Sequence, residues 1–83
     1  MANLLKANGT VEEDVSIKTL GDMQSLVGGY IEFVYTTKDK VLIVNEEGLL
    51  TALPLNQTAS DIAQQTIVGD VIEVSMDEYK KMM

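Results

Sequence analysis

The sequence predicts an α+β fold: one small domain with a mainly antiparallel sheet of about five or six strands and two or three short helices. Three observations predict it. Strand-like runs rich in β-branched and aromatic residues recur at 30–35, 41–45 and 67–74. Turn chemistry separates them, at Asn45-Glu46-Glu47-Gly48 and at Leu53-Pro54-Leu55-Asn56. Two short segments carry helix-start side chains, one before these runs at 19–27, which also has helical apolar spacing, and one before the last run at 56–65.

Taken in order, Asn8-Gly9 between apolar flanks predicts a hairpin joining 3–6 to 11–17. Its second arm carries Glu12-Glu13-Asp14, which suits an exposed edge or a longer turn. Thr19 is placed to cap a helix, with Asp22 three residues on as an acidic capping box. Leu20, Met23, Leu26 and Val27 then form one apolar stripe, which Gly28-Gly29 ends.

In the next strand Tyr30, Glu32 and Val34 share one side and Ile31, Phe33 and Tyr35 the other. The continuous run Val41–Asn45 marks a strand buried on both faces. A turn at Glu46–Gly48 is expected to return the chain as a further strand over 49–53, stopped by Pro54. Asn56, Thr58 and Ser60 offer starts for a short helix, and 67–74 reads as a last strand kinked at Gly69-Asp70. A short helical tail is expected after it. The domain divides into an N-terminal hairpin (1–18), a core (19–74) and the tail (75–83).

At 83 residues the chain forms one domain with a small core, which makes a homo-oligomer an expected partner state. Thirteen acids against six lysines, with no arginine, give a net charge of −7. Nucleic-acid readers neutralise phosphate with clustered Lys and Arg, so direct nucleic-acid binding is not expected. The absence of cysteine fits a reducing compartment. MANLLKANGT lacks the apolar stretch of a secretion signal and no run is long enough to cross a bilayer, so no membrane partner is expected and the location expected is the cytoplasm.

No enzyme is expected, because the chain has neither His nor Cys to serve as base or thiol nucleophile. Glu46 and Glu47 are neighbours, so on extended backbone they diverge rather than converge on a metal. No metal and no cofactor are expected. Gly28-Gly29 follows a helix and precedes a strand, the reverse of a phosphate loop, and reads as a helix stop.

The blocks Val27-Gly28-Gly29-Tyr30-Ile31-Glu32, Asn45-Glu46-Glu47-Gly48, Leu53-Pro54-Leu55-Asn56 with Ala59, and Ile67-Val68-Gly69-Asp70-Val71 together resemble a bacterial and phage family known as domain of unknown function 3846. The resemblance spans about residues 19–74. It implies a short accessory protein encoded by a phage, plasmid or bacterium. Its recurring positions fall on Gly29, Tyr30, Glu32, Asn45, Glu46, Glu47, Gly48, Pro54 and Asn56.

The function expected from these readings is non-catalytic: a homo-oligomeric binder that sequesters a small nucleotide-like ligand and so counters host defence. The candidate ligand-binding residues are Tyr30, Lys38, Lys40, Asn45, Glu46, Glu47, Pro54 and Asn56. Nanomolar capture requires about −12 kcal/mol, and drug-sized ligands yield about −0.3 kcal/mol per heavy atom. A dinucleotide-sized ligand reaches that only if nearly enclosed, which places the expected site between subunits. The alternative is an acidic protein–protein inhibitor or adaptor that occupies a host enzyme.

Overall fold

The computed structural model describes residues 2–36 and 39–82, leaving Lys38 outside the described residues. Five strands and three helices follow one another as β1 (Ala2–Leu5), β2 (Val11–Val15), α1 (Leu20–Val27), β3 (Ile31–Tyr35), β4 (Lys40–Asn45), α2 (Gln57–Ala63), β5 (Val71–Ser75) and α3 (Met76–Met82). The strands form one sheet in the order β2-β1-β5-β4-β3, and every neighbouring pair is antiparallel. The fold class is the α+β one that the sequence predicts.

β4 lies inside the sheet and is apolar on both sides. Val41 and Ile43 face α1 and α3, while Leu42 and Val44 face α2. On the first face they join Ala2, Leu4, Ile72 and Val74 under Met23, Leu26 and Val27 of α1 and Tyr79 of α3. On the second they join Leu5 and Val71 under Ala59, Ile62 and Ala63 of α2. Each fully buried Leu, Ile or Val contributes about 1.5–3 kcal/mol, so the sheet's centre holds the fold together.

The helix boundaries follow local chemistry. The Thr19 hydroxyl accepts from the Asp22 amide at 3.1 Å while the Asp22 carboxylate accepts from the Thr19 amide at 3.2 Å, completing the capping box. Gly28 closes α1 in the left-handed conformation (φ 82°). Asn56 caps α2, and the Ser75 hydroxyl accepts from the Glu78 amide at the start of α3. In α3, Asp77 and Glu78 in the first turn and Lys80 and Lys81 in the last complement the helix dipole.

The structure departs from the sequence reading at two points. Residues 49–52 are turns and 53 is irregular, with no strand: the Thr51 amide donates to Glu47 O (3.0 Å) and the Leu53 amide to Gly48 O (3.0 Å). The Thr51 hydroxyl donates to the same Glu47 carbonyl (3.0 Å), which fixes the coiled path. The last strand is also shorter than expected. Val68 makes only an isolated bridge to Leu55, and β5 begins at Val71, after a left-handed Gly69 (φ 79°).

Close approach explains the glycines of this region. A Cβ on Gly48 would lie 2.8 Å from Val68 Cγ2, and one on Gly69 would lie 2.8 Å from Leu53 Cδ1. These two contacts press the 46–53 loop onto the 67–69 segment. The loop thereby becomes a fixed wall beside the end of β4.

Candidate functional site

Two grooves flank the β4 end, and Asn45 stands in the wall between them. The larger, about 460 Å³, lies on the α2 side. Val44 and Ile67 form its buried floor, and Val34, Val68, Leu49 and Leu50 its apolar flanks. Glu32 and Glu46 supply its charged groups, with Asn45, Gln65 and Thr66 as neutral polar ones. The smaller groove, about 360 Å³, is lined by Gly28, Gly29, Tyr30, Asn45, Glu47, Thr51 and Leu53.

Asn45 is held from both sides. Its Nδ2 donates to the Val27 carbonyl at 3.1 Å, and its Oδ1 accepts from the Glu47 amide at 2.8 Å. These bonds tie the end of α1 to the start of the 46–53 loop. A Cβ on Gly29 would lie 3.0 Å from Asn45 Nδ2, which accounts for a small residue there. Glu46 and Glu47, in the turn that follows β4, line opposite grooves.

The predicted site residues therefore divide. Asn45 and Glu46 meet in the larger groove; Tyr30, Asn45 and Glu47 meet in the smaller. Pro54 is exposed on another recess, beside Asp70, and its carbonyl accepts from the Gly69 amide at 2.7 Å. Asn56 is fully buried: its Nδ2 donates to Leu5 O and Gly69 O, both at 2.8 Å, and its Oδ1 accepts from the Ala59 amide at 3.0 Å. Those bonds leave its amide facing backbone rather than either groove.

Lys40 is not brought to Asn45. The two occupy opposite ends of β4, about 17 Å apart at the usual strand rise. Lys18 and Lys81 instead line a recess of about 470 Å³ with Ile17, Thr19, Leu20 and Met23. At that helix start the Asp22 carboxylate already accepts from the Lys18 amide (2.8 Å) and the Thr19 amide. An incoming anion would meet that charge.

The sequence reading did not single out Leu49 and Leu50, which are 71% and 86% exposed on the groove wall. The signal was an apolar pair beside a turn, indistinguishable by periodicity from the start of a strand. Gln65 and Thr66 carried no signal of their own. Among the described residues no three acidic side chains gather as a metal site, and no helix is long and apolar enough to cross a membrane.

Fold and grooves together define a small antiparallel-sheet protein with helices on both faces and an acid-edged apolar recess. The sequence profile of the family described as "Domain of unknown function (DUF3846)" matches residues 1–82, and the chain belongs to that family. The match takes in the N-terminal hairpin and the tail helix, beyond the 19–74 span of the blocks first noted. No curated protein and no solved structure matches the chain.

Proposed function

We propose that this protein is a non-catalytic, self-associating binding module that holds an apolar, positively charged segment of a partner protein in the larger groove. The observation that carries this reading is the groove's chemistry. It has a floor of Val44 and Ile67, exposed Leu49 and Leu50 on its wall, two carboxylates and, among the described residues, no lysine lining it. Apolar contact would supply affinity there, and Glu32 and Glu46 would select a cationic segment and speed its encounter. The net charge of −7 acts in the same direction at long range.

This favours an acidic inhibitor or adaptor over capture of a nucleotide-like anion, which the same two carboxylates would repel. Occupying a host enzyme in the cytoplasm is then the route by which a phage-borne member would counter host defence. The test is a fluorescence-anisotropy titration with a labelled Leu/Lys peptide, run beside a thermal-shift panel of nucleotides. The peptide is expected to bind with salt-sensitive affinity, and Glu32→Gln with Glu46→Gln to weaken it by about three- to fivefold per carboxylate. A nucleotide that raises the melting temperature while the peptide stays unbound would overturn the reading.

A further inference from the structure

The two edges of the sheet are treated differently. β2, at one edge, carries Glu12, Glu13 and Asp14 in succession, with Asp14 in the left-handed region (φ 57°) at a register shift against β1. Consecutive acids and a bulge are devices that stop an exposed strand from pairing with another copy. β3, at the other edge, has neither. Its five residues are Ile31, Glu32, Phe33, Val34 and Tyr35, in unbroken register with β4, and Phe33 and Tyr35 are exposed.

The ladder says which backbone groups face outward. The Glu46 amide donates to Tyr30 O and the Thr36 amide to Lys40 O, so the even-numbered residues of β3 bond to β4. The N–H and C=O groups of Ile31, Phe33 and Tyr35 therefore point away from the sheet. We propose that two copies of this chain pair their β3 strands antiparallel about a two-fold axis at Phe33, giving one continuous sheet across the dimer. This names the interface for the self-association included in the function proposed above.

The occupant is a second copy because the strand complements itself. With Phe33 opposite Phe33 of the second copy, Ile31 stands opposite Tyr35, and all three outward residues form bonded pairs, about six backbone hydrogen bonds in all. Aromatic and β-branched cross-strand pairs each add stabilisation. The strand's one charge, Glu32, then faces Val34 rather than another acid. Glu32 and Val34 also line the larger groove, so pairing would set the two grooves side by side across the axis and make the binder bivalent.

The chain has no cysteine, which allows a clean test. Bonded partners in an antiparallel pair have Cα atoms about 5.5 Å apart, within the range of about 4.4–6.8 Å that a disulfide spans. Phe33→Cys should cross-link into dimers under mild oxidation, whereas Glu13→Cys on the β2 edge should not. Light scattering should give the wild type the mass of two chains and Phe33→Lys that of one, with unchanged far-ultraviolet circular dichroism. If Phe33→Lys fails to fold, the cysteine pair decides alone. A wild type that stays single at high micromolar concentration would overturn both self-association and this interface while leaving the groove testable by peptide binding. A dimeric wild type whose Phe33→Cys form cross-links no faster than Glu13→Cys would overturn the interface alone.

Discussion

Asn56 is buried completely, and its three hydrogen bonds explain how the fold tolerates a polar amide there. One side chain caps α2, holds the β1 carbonyl of Leu5 and holds the Gly69 carbonyl before β5. Asn56→Ala removes the cap and takes one donor from each of two buried carbonyls, so urea unfolding should show a loss of about 3 kcal/mol. The capping role was legible as one of three helix starts, Asn56, Thr58 and Ser60. Its burial was not, because that depends on Leu5, 51 positions away, and Gly69, 13 positions away. Tyr79 belongs to the same scale. Its hydroxyl pairs with that of Tyr35, and this bond, then burial, raises its pKa above the ordinary value. The protonated hydroxyl is the form the fold favours, so the stabilisation is full below the free value of about 10. It is lost as pH rises through the higher folded-state value. An ultraviolet absorbance titration should show one tyrosine ionising late, and Tyr35→Phe should bring it back toward the ordinary value.

At the scale of elements, the helices were the most legible because their ends are written in short-range chemistry. Thr19 with Asp22 and the following glycines bound α1 without help from the rest of the chain. Thr19→Ala should cost about 1 kcal/mol in thermal or urea unfolding. The turn at 46–48 is present as the sequence predicts, but 49–53 continues it instead of forming a strand, because Leu49, Leu50 and Leu53 suit either state. What decides is long-range: Gly48 against Val68 and Gly69 against Leu53, with Glu47 O taking both the amide and the hydroxyl of Thr51. Gly48→Ala should cost about 1–3 kcal/mol through overpacking, and Gly69→Ala about 1–2 kcal/mol through the left-handed backbone there (φ 79°). Limited proteolysis should then cut first within 46–53, and the groove wall should loosen with it.

For the whole molecule, the order β2-β1-β5-β4-β3 makes the N-terminal hairpin part of the core. β1 lies between β2 and β5, Leu4 and Leu5 enter opposite clusters, and Asn3 reaches Glu73 across 70 positions. Removing residues 1–6 should therefore abolish cooperative unfolding rather than trim an appendage, which circular dichroism during a denaturant titration would show. Pairing strands so distant in sequence also predicts folding in milliseconds to seconds, measurable by stopped flow. The same topology leaves β3 at the rim, beside the larger groove.

The sequence by itself determined the class of fold, the caps of α1 and the doubly buried β4, and it offered Asn56, with Thr58 and Ser60, as a start for α2. Those features depend on neighbours within a few residues or on strand alternation, so local chemistry is enough to set them. Only the tertiary structure decided that Asn56 turns inward, that Lys40 lies at the far end of β4 from Asn45, and that a groove beside Glu32 and Glu46 is apolar and acidic. These depend on which distant segments meet, and burial of apolar surface, being non-directional, does not announce its partners in the order of residues.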